Sequence, residues 1–132
     1  MRVLLVGDSA EPGGASLESL SAEGHDLIAS DDLVQALHIA RALLPDVIVL
    51  DVSFPSAAGL SSLRRLRANA DLDDVPVVTL SLVPSDEEEA LEAGAIYALH
   101  KPLLQGQLNE AVVAASGGSW QDLPRGRFWG GR

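Results

Sequence analysis

A chain of 132 residues with 47% hydrophobic and 21% charged residues has the length and balance of one soluble globular domain, and this excludes a disordered chain. Its net charge of −10 makes it a poor ligand for the phosphate backbone, so no direct nucleic-acid contact is expected. The absence of cysteine excludes disulfides, thiolate zinc sites and cysteine nucleophiles, and no apolar run has the roughly 18–20 residues of a membrane span, so a cytoplasmic location is expected.

Short apolar runs alternate with helix-length amphipathic segments. Residues 3–6 (VLLV), 26–29 (DLIA), 47–50 (VIVL), 76–80 (PVVTL) and 95–99 (AIYAL) are predicted strands. Three of them are nearly continuous apolar, as central parallel strands covered on both faces should be. Between them, residues 15–23, 31–44, 59–70 and 85–93 are predicted helices, with 103–115 following the last strand. In the second helix Leu33, Leu37, Ala40 and Leu44 recur on one face behind Asp31 and Asp32, and Pro45 stops it. In the fourth, Ser85 is the expected cap, Asp86 to Glu88 suit the positive end of the helix dipole, and Gly94 ends it. Five β-then-α units in series predict a doubly wound α/β domain with a parallel sheet and helices on both faces.

Residues 116–132 (SGGSWQDLPRGRFWGGR) break the pattern and form a separate C-terminal tail beyond the domain at 1–115. The plain expectation is a frayed end. The sharper one makes Trp120, Phe128 and Trp129 anchors on this domain or on a partner. The basic cluster RRLR at 64–67 is expected to face water.

In an open parallel sheet, ligands bind at the carboxyl ends of the strands, where the strand order reverses. The first strand delivers Gly7, Asp8 and Ser9 there, the third Asp51, the fourth Ser81, and the fifth His100 and Lys101, the chain's one lysine. Two carboxylates on one rim suit a hard cation such as Mg²⁺. A carboxylate can carry a covalent phosphoryl group, so Asp51 is the candidate nucleophile, with Ser81 and Lys101 on the phosphoryl oxygens.

These residues resemble the receiver domains of bacterial two-component response regulators. The resemblance covers about residues 3–115 and rests on spacing. DVSFPSAAGL holds Asp51, then Pro55 and Gly59; PVVTLSL holds Ser81 five residues after Pro76; EAGAIYALHKPL holds Gly94, Ala95 and the Lys101-Pro102 pair. It implies a flavodoxin-like, five-stranded sheet in the order 2-1-3-4-5. It also implies that Asp51 accepts a phosphoryl group from a histidine kinase or phosphotransfer protein, and that Asp8, Asp51 and the Ser53 carbonyl hold Mg²⁺. Such a domain is a phosphoacceptor rather than an enzyme, with self-catalysed dephosphorylation open to it. No effector domain is apparent, so output is expected through protein contact or a homodimer. The expected face is that of the fourth helix, fifth strand and fifth helix, with Val112 and Val113 available.

The pattern also departs from the family. Gly7 stands where the first of two adjacent acids is usual, which lowers the metal site's charge. Leu82 follows Ser81 where a small residue is usual. Ala98 replaces the usual aromatic three residues before the lysine, and Tyr97, one step early, faces the other way. A degenerate receiver that docks without phosphate is the alternative reading. A remote one is a Gly-Asp-Ser hydrolase with Ser9 as nucleophile. It lacks the expected Asp-x-x-His pair, since none of His25, His38 and His100 has Asp three residues before it.

Overall fold

The computed structural model describes residues 1–7, 23–30, 32–52, 59–81, 84–100, 103, 106–117 and 119–127. Strands β1 (Arg2–Val6), β2 (Asp26–Ser30), β3 (Val47–Asp51), β4 (Val77–Ser81) and β5 (Tyr97–His100) form a parallel sheet in the order β2-β1-β3-β4-β5. The order reverses beside β1, and this puts the carboxyl ends of β1 and β3 at the switch point, with that of β4 next to β3. The expected doubly wound architecture is present.

Alternation along the strands splits the core in two. Leu4, Val6, Ile48, Leu50 and Val77 pack with the buried residues of helices α1 (Leu33–Leu43), α2 (Gly59–Arg67) and α3 (Pro84–Glu92). Val3, Val47, Val49, Val78 and Leu80 pack on the other face with Leu108, Ala111, Val112 and Ala115 of helix α4 (Gln107–Ala115). The helix expected at 15–23 lies outside the described residues. Among the described residues no helix is long and apolar enough to cross a membrane.

Local signals explain most boundaries. Asp32 caps α1 by accepting from the Val34 N–H, and Leu44 ends it in the left-handed conformation just before Pro45. α3 begins one residue earlier than expected. Pro84 is its first residue, where a missing N–H costs nothing, so Ser85 lies inside the first turn rather than capping it.

Three expectations are corrected. Val112 is fully buried against the sheet, because the inward stripe of α4 runs through 108, 111, 112 and 115; only Val113 of the pair is exposed. Arg67 turns inward: its guanidinium donates to the carbonyls of Leu72 (3.1 Å) and Val75, and lies 5.0 Å from the Trp120 ring centroid. Burial lowers the Arg67 pKa, with Asp73 opposing the shift.

The tail, thirdly, does not fray over 119–127. Trp120 Nε1 and Gln121 Nε2 both donate to the Asp73 carbonyl at 2.8 Å, and Arg125 donates to the Leu91 carbonyl at 3.2 Å. Gly126–Arg127 form a short sixth strand, β6, parallel to Tyr97 and Ala98 on the edge of β5. Phe128 and Trp129 lie outside the described residues.

Candidate functional site

Asp51 is the last residue of β3 and only 7% exposed. It reaches the rim because the apolar run VIVL, buried on both faces, carries the strand up to it. Ser81 ends β4 one strand over, fully buried, and its hydroxyl has no hydrogen-bond partner among the described residues. A buried hydroxyl without a partner forgoes about 1–3 kcal/mol, so such groups are rare unless something else satisfies them. The registers Asp51↔Leu80 and Ser81↔His100 place the ends of β3, β4 and β5 side by side.

The structure thus brings Asp51 and Ser81 to one rim. Asp8, Ser9, Ser53 and Lys101 lie outside the described residues. Among the described residues no three His, Asp or Glu side chains gather as a metal set. The expected set draws on Asp8 and Ser53, so its test rests on donor chemistry: two carboxylates and a carbonyl are hard oxygens of the kind Mg²⁺ takes.

Gly7 has a structural reason to lack a side chain. Its φ of 149° is one that L side chains rarely adopt, and a Cβ built there would lie 2.9 Å from Asp51 Cβ. Its N–H donates to the Ser30 carbonyl at 2.9 Å, which pins the turn in place. The backbone at Gly7 is here drawn up against Asp51.

Tyr97 packs toward the α4 side, with Ala98 buried opposite, as the one-step shift required. One side-chain pair escaped the sequence reading. His100 Nδ1 lies 2.8 Å from Glu87 Oε2, and the Glu87 side chain is 5% exposed. The partners are 13 residues apart on different elements, so no local motif announces them. His100 therefore has an acid beside it, at the end of a strand that β3 and β4 separate from β1.

Comparison with known proteins agrees with this geometry. Residues 3–113 match the response regulator receiver domain. The chain is similar to response regulator MprA of Mycobacterium leprae, 36% identical over 116 residues covering 86% of this chain and 50% of that protein. It is likewise similar to MprA of Mycobacterium avium, 36% identical over 82% of this chain and 47% of that one. It thus spans about half the length of these curated relatives. Among solved structures, the receiver domain of sensor histidine kinase PA1611 from Pseudomonas aeruginosa, with magnesium coordinated in its active-site cleft, superposes with a TM-score of 0.77; identity is 27%, over 89% of this chain and 98% of that one. The receiver domain of response regulator NarL from Mycobacterium tuberculosis superposes at 0.75 with 26% identity, over 89% and 96%. With its parallel 2-1-3-4-5 sheet and an aspartate closing β3, the chain belongs to the response regulator receiver domain family of two-component systems.

Proposed function

We propose that this domain accepts a phosphoryl group on Asp51 from the phosphohistidine of a histidine kinase or phosphotransfer protein, and passes the signal on by protein contact in the cytoplasm. The observation that carries this is the pair of strand ends at one rim, β3 closing on the buried Asp51 and β4 on Ser81, whose buried hydroxyl has no hydrogen-bond partner among the described residues. In the transfer an Asp51 oxygen attacks phosphorus, the donor's N–P bond breaks, and the imidazole leaves. The Ser81 hydroxyl donates to a phosphoryl oxygen, and the Lys101 ammonium neutralises another. Asp8, Asp51 and the Ser53 carbonyl would hold Mg²⁺, which when bound supplies positive charge to the phosphoryl oxygens. The domain turns over no external substrate, so it is a phosphoacceptor rather than an enzyme. Its output surface is the face of α3, β5 and α4, on which the tail's Trp120 and Leu123 already pack and whose β5 edge β6 covers.

The test is incubation with a small-molecule phosphodonor and Mg²⁺, read by intact mass, with Asp51→Asn alongside. The expected result is a gain of one phosphoryl mass that the variant lacks. No gain on folded protein would leave the second reading, a docking module that signals without phosphate. The observation favouring that reading is Gly7, whose packing against Asp51 leaves the site one carboxylate short.

A further inference from the structure

The His100–Glu87 pair takes no part in accepting a phosphoryl group, yet it stands beside the hydroxyl that would contact one. An ionised carboxylate only accepts hydrogen bonds, so the 2.8 Å contact to Glu87 puts a proton on His100 Nδ1. In the neutral ring, Nε2 then carries the lone pair, and it has no protein partner among the described residues. The His100 side chain is 45% exposed while Glu87 is buried, the arrangement of a base held in one orientation by a shielded acid.

Strand register supplies the proximity. Ser81 and His100 are direct partners on β4 and β5, one inter-strand step of about 4.8 Å apart. Alternation puts both on the α3 side, since Val78 and Leu80 on β4 and Tyr97 and Leu99 on β5 pack toward α4. A phosphoryl group contacted by Ser81 is therefore within reach of His100 through one bound water.

We propose that His100 is the general base that hydrolyses the aspartyl phosphate, with Glu87 as its positioning residue. The proposal rests on Asp51 being the phosphoacceptor. Water held by Nε2 attacks phosphorus, the bond from phosphorus to the Asp51 oxygen breaks, and its electron pair returns to the carboxylate. The water's proton passes to Nε2, inorganic phosphate departs, and the imidazolium, balanced by Glu87, returns the proton to solvent. α3 also carries Asp86 and Glu88, and β3 ends on Asp51, while Lys101, next in the chain, lies outside the described residues. Beyond β5, Arg127 pairs with Ala98 through the backbone. β4 carries no charged residue.

The experiment charges the whole chain with a small-molecule phosphodonor and Mg²⁺, removes the donor, and follows loss of phosphoryl mass from about pH 5.5 to 8. The parent's decay should speed up with pH across this range. His100→Gln should decay about tenfold or more slower at the upper end and lose the pH dependence. His100→Ala should do the same and recover with added imidazole, which a merely structural role would not allow. Glu87→Gln should slow decay by a smaller factor. Equal decay in parent and His100→Gln, within about twofold and with the same pH profile, overturns the assignment. If the parent gains no phosphoryl mass at all, the reading of Asp51 fails and this one falls with it, a different result from a mass gain with unaltered decay.

Discussion

Gly94 and Arg67 share a space that neither can enlarge. A Cβ built on Gly94 would lie 2.6 Å from Arg67 Cγ and 2.7 Å from its Cδ, and the glycine's φ of 116° is closed to most side chains. The stem cannot swing away, because the guanidinium is tied to the Leu72 and Val75 carbonyls and covered by Trp120. Gly94 lies in the turn between α3 and β5, so this contact packs α2 against that turn. Gly94→Ala should destabilise the domain by about 2–3 kcal/mol, strain and clash together, measured by urea unfolding. Unchanged stability would mean that Arg67 is free to move.

Trp120 reports on the same corner. Trp120→Phe keeps an aromatic ring, smaller than the indole, but removes the Nε1 hydrogen bond to the Asp73 carbonyl, and should cost about 1 kcal/mol in urea unfolding. Trp120→Ala also removes the cover over Arg67 and should cost more, about 2–3 kcal/mol. Equal losses in the two variants would assign the tail's anchoring to the indole N–H alone.

Gly7 offers a test of charge against packing. Gly7→Asp restores the usual acid pair but places a side chain at a φ of 149° against Asp51. Without metal the variant should lose about 2 kcal/mol of stability. Added Mg²⁺ should return part of that loss, because a second carboxylate raises hard-cation affinity and ligand binding stabilises the folded state. A variant as stable as the parent in metal-free buffer would show that the turn at Gly7 opens readily.

Two buried hydroxyls on β4 separate structure from function. Thr79 and Ser81 are both fully buried with no hydrogen-bond partner among the described residues. Thr79 is two residues inside the strand, so Thr79→Val should leave stability unchanged or raise it by up to about 1 kcal/mol. Ser81 is at the rim. Ser81→Ala should hold stability within about 0.5 kcal/mol while slowing phosphoryl uptake about tenfold or more. Calorimetry and intact mass read the two effects independently.

The parts of this molecule that depend on neighbours in sequence were legible in it. Runs such as VIVL read as strands covered on both faces, and this one carries Asp51 to a strand end. Features that depend on packing were not. Glu87 reads as one of several acids in a first helical turn, and only the approach of α3 to β5 makes it the partner of His100. Arg67 belongs by composition to a basic, solvated cluster, yet the carbonyls at 72 and 75 draw it inward. Gly126 and Arg127 have little strand preference, and they pair because Trp120 and Arg125 bring them to the edge of β5.

That short sixth strand has a consequence for self-association. An open sheet carries two unpaired margins, each a template for a foreign strand. Here one margin, at β5, is partly sealed by the chain's own end, while β2 forms the other. Two residues of pairing make a shallow seal, so a protease nick near Ser116 that released the segment would bare β5 and lift Trp120 and Leu123 from the core face they cover. A trimmed sample should then grow sticky while still folded, oligomerising through a margin that the intact chain keeps closed.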